Sequence, residues 1–67
     1  MNVIRLHDLE GKPVLFNAEF IVLITSALGM GMDGEPITVS VVALSNGAHA
    51  QVRESVEEIA ALAAGAL

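Results

Sequence analysis

The run Gly29-Met30-Gly31-Met32-Asp33-Gly34 spells G-x-G-x-x-G, the spacing that lets a backbone approach a dinucleotide's pyrophosphate. That chemistry needs a strand before the glycines and a helix after them, because the amides at the helix start bind the phosphates. Phe20–Thr25 supplies a strand pattern, but Glu35-Pro36 and another β pattern follow the glycines. No lysine follows Gly34, and Asp33 and Glu35 would repel a phosphate. The run therefore reads as a long hairpin loop. Met30 and Met32 at its tip are either a contact surface, since Met adapts to irregular partners, or simply part of a mobile loop.

Other reactive residue types are no better placed. His7 and His49 are the two histidines, with Asp8 and Glu10 near the first, but no pair of them has a metal-ligand spacing. Ser26, Ser40, Ser45 and Ser55 lie in no nucleophile elbow. Glu57 and Glu58 are consecutive, so on a helix they diverge instead of flanking one bond. No catalytic, cofactor-binding or metal-binding residue is assigned, and no cofactor is expected. A catalytic pocket would also consume most of so small a core.

The chain has 67 residues and no Cys. A domain of this size buries only about 60% of its unfolded surface and usually needs a disulfide, a metal or a partner. Without cysteine, association is the expected supplement. The composition points the same way: 54% apolar, 16% charged, mean hydropathy +0.66. No apolar run reaches the roughly 18 residues of a membrane helix, so no membrane insertion is expected. The opening MNVIRLHDLEG lacks the basic start and apolar middle of a secretory leader, and the chain reads as cytoplasmic. A net charge of −5 with three Lys and Arg gives no basic stripe for nucleic acid.

The elements that position these residues follow from pattern. In Asn2–Leu9, Ile4 and Leu6 face one way while Arg5 and His7 face the other. Gly11 suits a tight turn before a short strand at Val14–Phe16, with Pro13 at its start. Asn17 caps a short NAEF turn. Phe20–Thr25 reads as a strand, residues 26–36 as a loop, and Ile37–Ser45 as the clearest strand. Asn46-Gly47 predicts a two-residue type I′ turn. That turn pairs Val41 with Val52 and Ala43 with Ala50, turning both strand residues toward the core. Ser55 and Glu58 form a capping box that starts a helix at about residues 55–65. The expected architecture is a single α+β domain over residues 1–67: an antiparallel sheet of four to five strands with one C-terminal helix packed on one face.

In that register Val42 and Leu44 lie on the opposite face, and Phe20–Thr25 is apolar on both. Either the loop folds over this surface or a second copy covers it. Covering about 400 Å² per subunit would be worth on the order of 10 kcal/mol before association costs. Val22, Ile24, Met30, Met32, Val42 and Leu44 are thus the expected interface, and Asn46, Gly47, Ser55 and Glu58 the structural positions. The functional expectation is a non-catalytic interaction module that forms a homo-oligomer and meets a further protein partner. The alternatives are a small-ligand or nucleic-acid binding subunit with a site made at an oligomer interface, or a phage-borne accessory protein.

The segments LEGKPVLFNAEFI, ITVSVVALSNG and VRESVEEI, in this order, resemble the small FlbD (SwrD-type) flagellar proteins. The matching positions are Leu9, Gly11, Lys12, Asn17, Ala18, Glu19 and Ile21, then Ser45, Asn46 and Gly47, then Val52 to Ile59. The resemblance leaves out the Gly/Met loop, which is longer than the family's, and the Ala-rich tail; HDLEG stands where the family has TRLNG. It implies a cytoplasmic non-enzyme associated with flagellar motility and brings no catalytic residues with it.

Overall fold

The structure, a computed structural model, describes residues 2–31 and 33–66. It is α+β, as the pattern predicts. Among these residues, five strands divide into two antiparallel sheets: β1 (Val3–His7) with β2 (Pro13–Asn17), and β3 (Ile21–Met30), β4 (Pro36–Leu44) and β5 (His49–Val52) in that spatial order. A 3₁₀ turn at Ala18–Phe20 joins the sheets, and α1 (Val56–Ala66) ends the chain. The Asn17 side chain accepts from the Glu19 N–H at 3.0 Å and so starts that turn.

All three hairpins turn in the same way. The Asp8 N–H donates to Lys12 O (2.9 Å) and Gly11 N–H to Asp8 O (3.0 Å). Gly31 and Gly34 repeat the pattern with Glu35 O and Gly31 O, and Leu44 and Gly47 repeat it with Ala48 O and Leu44 O. The loops at residues 9–11 and 45–47 are three-residue loops, a type I turn followed by a residue in the left-handed region. Gly11, Gly34 and Gly47 lie in that region, at φ +89°, +84° and +89°. In each loop an Asp or Asn carboxyl or amide oxygen accepts a backbone N–H: Asp8 from Lys12, Asp33 from Glu35, Asn46 from Ala48.

This turn overturns two expectations. A type I′ turn at Asn46-Gly47 would need positive φ at both residues, yet no residue other than glycine has it among the described residues. The loop is one residue longer, so Ser40 pairs with Val52, Val41 with Gln51, Val42 with Ala50 and Ala43 with His49. A one-residue slip turns every side chain to the other face. Val42, expected at an interface, is therefore 0% exposed in the core, and Leu44 packs half-buried against it. Val41 and Ala43, expected inside, lie on the other side of the sheet beside Gln51 and His49.

The second correction concerns residues 26–36. β3 runs on to Met30, with Leu28 opposite Thr38 and Met30 opposite Pro36, so residues 26–30 and Pro36 belong to strands. Ser, Ala and Gly are weak strand formers; β4 alone, by offering a continuous partner, carries this stretch into the sheet. The hairpin is about 30 Å long at 3.3 Å per residue and dominates a molecule 37 × 20 × 18 Å in extent. β5 reaches only as far as Ser40, so beyond it β3 and β4 form a two-stranded arm.

The core gathers Ile4, Leu6, Phe16, Ala18, Val42, Val52 and Ile59. Alternation puts Ile4 and Leu6 on one side of β1, and α1 lies against β1 and β3. Each of the Val, Leu, Ile and Phe side chains in this core contributes roughly 1.5–3 kcal/mol by burial. The Glu58 N–H donates to Ser55 Oγ (3.1 Å) and the Ser55 N–H to Glu58 Oε1 (3.4 Å). This capping box satisfies two amides and aims Ile59 into the core. No helix among the described residues is long and apolar enough to cross a membrane.

Candidate interaction surface

β3 is the longer of the two edges of its sheet; among the described residues its one strand partner is β4. Its ten residues, IVLITSALGM, contain no charge. Natural edge strands are normally kept single by charges, prolines, bulges or brevity. β3 has one such device, a bulge at Val22 between the Ile21–Leu44 and Leu23–Ala43 pairs.

Side chains at both ends of this edge are uncovered. Val22 is 64% exposed, Leu28 80% and Met30 68%. At the Ile21 end the strand and α1 leave an apolar groove of about 420 Å³, lined by Ile21, Val22, Leu23, Ile24, Val56 and Ala63. The other end is the arm. One side carries Leu28, Met30 and Pro36 with Thr38 among them, and the other carries Ala27, Gly29, Ile37 and Val39. Gly29 is tightly engaged there: a Cβ on it would lie 3.0 Å from Val39 Cγ1, and Val39 is itself buried.

Of the six residues expected at an interface, Val22 and Met30 are therefore exposed on β3. Ile24 is half-buried against the core with Leu44, and Val42 is wholly inside. Met32 lies outside the described residues. Leu28, the most exposed large apolar side chain among the described residues, escapes the sequence pattern because residues 26–36 read as a loop.

A second, polar cleft of about 340 Å³ lies between His7, Arg53, Glu54 and Glu58. Glu54, with a side chain 13% exposed, holds the end of β1 twice: Oε1 accepts the His7 N–H at 2.9 Å and Oε2 lies 2.6 Å from His7 Nδ1. An ionised carboxylate only accepts, so Nδ1 carries the proton. Burial pushes the Glu54 carboxyl up, but the bonds from the His7 ring and backbone outweigh it and hold the pKa below the ordinary range. The Arg53 N–H donates to His7 O (2.9 Å), and Ser40 Oγ–H donates to Glu54 O (2.6 Å). The cluster thus joins β1, β4 and the β5–α1 junction. A carboxylate–histidine pair can orient a general base; here the pair also ties the end of β1 to the β5–α1 junction. The sequence signal for it was weak: a His ending a strand and a Glu 47 residues later, just before a helix cap.

Fold and surface together define a small α+β protein with an exposed, charge-free sheet edge. No family model matches the chain, and neither a curated protein nor a solved structure matches it.

Proposed function

We propose that this chain is a non-catalytic interaction module, working through self-association and contact with a further protein on the β3 side. One observation carries the reading: a ten-residue edge strand without charge, with Val22, Leu28 and Met30 exposed along it. Leaving such an edge in water invites uncontrolled pairing, so a functional cover is the economical reason to keep it. In the polar cleft the Glu54 carboxylate is bonded to the His7 N–H and ring, which gives it a role in holding the end of β1. Light scattering across a concentration series tests the reading: the mass should rise above the 7.0 kDa of one chain, and a mass fixed at one chain up to millimolar concentration rejects self-association.

The setting is proposed from the sequence resemblance: a cytoplasmic protein associated with flagellar motility. Its support is the match through Asn17–Glu19, Ser45–Gly47 and Val52–Ile59. Deleting the gene in its host should reduce swimming while leaving growth intact; unchanged swimming rejects the assignment.

A further inference from the structure

The hydrogen-bond parity of β3 is set by its turn. The Gly31 N–H donates to Glu35 O, and antiparallel pairs alternate between bonded and non-bonded. Gly29–Ile37, Ala27–Val39 and Thr25–Val41 are then the bonded pairs. Pro36, which has no N–H, sits opposite Met30 in a non-bonded pair, where a ladder needs no donor. Consequently Ile24, Ser26, Leu28 and Met30 turn their N–H and C=O groups away from β4, toward the open edge.

The same strand carries a projection and a receptacle at opposite ends. Leu28 and Met30 stand exposed near the arm tip, on the sheet side that Ile24 shares with α1. The groove against Val56 and Ala63 lies at the Ile21–Ile24 end. An antiparallel copy of β3 brings the projection of each chain to the receptacle of the other, twice over.

Resting on the self-association proposed above, we infer that two copies join edge to edge through β3, about a two-fold axis at Ser26. Ser26 then faces its own counterpart in a bonded pair, Ile24 faces Leu28 of the second copy, and Val22 faces Met30. A centre one residue earlier carries Met30 past the start of β3 to Phe20. One residue later brings Leu28 opposite Ser26, outside the groove. The product is a six-stranded sheet with both α1 helices on one side, each groove filled by the other chain's Leu28 and Met30. It is an isologous contact that closes on itself, so it ends at two copies and covers the β3 edge of each, leaving the short β5 strands as the outer edges. Each copy carries −5, and the charge-free β3 is where two such chains approach with least repulsion.

The chain has no cysteine, which makes the test direct. In a bonded antiparallel pair the Cα atoms lie about 5.5 Å apart, within the disulfide range of about 4.4–6.8 Å. Ser26→Cys should therefore oxidise to a covalent dimer about tenfold or more faster than Gln51→Cys, which is exposed on β5, because pairing raises the effective thiol concentration. Leu28→Lys, altering a solvent-exposed side chain, should keep the circular dichroism spectrum and raise the dimer dissociation constant by about tenfold or more. A wild type that associates while Leu28→Lys keeps its mass, or while Ser26→Cys cross-links no faster than Gln51→Cys, overturns this pairing and leaves the interaction module standing. A wild type that stays monomeric overturns both.

Discussion

Glu54 and His7 are 47 residues apart and are joined by two bonds, Oε1 to the His7 N–H at 2.9 Å and Oε2 to Nδ1 at 2.6 Å. The folded-state pKa of Glu54 lies below its ordinary value, so the folded chain binds fewer protons at this site than the unfolded chain. The stabilisation is complete above the unfolded glutamate value of about 4.3 and is lost as pH falls from there through the depressed folded value. Thermal midpoints measured from about pH 6 down to about pH 3 should fall more steeply for wild type than for Glu54→Gln, which has no such proton to take up. Parallel curves would remove the linkage.

Gly47 and Gly65 should respond to alanine with opposite signs. Gly47 sits at φ +89° with open space around it, so Gly47→Ala is penalised by backbone alone, about 1–2 kcal/mol. Gly65 lies within α1 with nothing near a built Cβ, so Gly65→Ala should stabilise by up to about 1 kcal/mol. Denaturant midpoints moving the same way would contradict the turn geometry.

Gly29 distinguishes an ordered arm from a loose loop. Its Cβ would meet buried Val39 at 3.0 Å, so Gly29→Ala should cost about 1–3 kcal/mol as overpacking. A thermal midpoint equal to wild type would return residues 26–31 to loop.

Ser55→Ala should cost about 1 kcal/mol, as the loss of a capping oxygen to the Glu58 N–H. An unchanged denaturant midpoint would show that the box contributes nothing.

Salt should strengthen self-association. Two chains of charge −5 repel, and salt of about 0.1 M already shortens that repulsion to about 10 Å, while an apolar contact is untouched. Sedimentation that shows dissociation with rising salt would instead indicate ion pairing at the contact.

The helix, the Asn17 turn and the inward faces of β1 and β5 were legible in the sequence because each rests on local chemistry: a capping box, a side-chain oxygen, a two-residue alternation. The β4–β5 register was not. Asn-Gly serves both a two-residue I′ turn and the last two places of a three-residue loop, and β4 is apolar at Val41, Val42 and Ala43 alike, so its pattern could not choose. That single ambiguity reversed the face of Val42. The far half of β3 was hidden because Ser26, Ala27 and Gly29 look like loop until a partner strand is laid beside them. The Glu54 clamp was hidden by separation along the chain.

The repeated glycine turn sets an order of events during folding. Each turn closes over a handful of residues, at little entropic expense, whereas joining Glu54 to His7 must draw together a segment of 47 residues. The hairpins can thus zip early and independently, and the two ends of the polypeptide are sewn together last. Pulsed amide exchange would see the N–H groups of Gly11, Gly34 and Gly47 protected before that of His7.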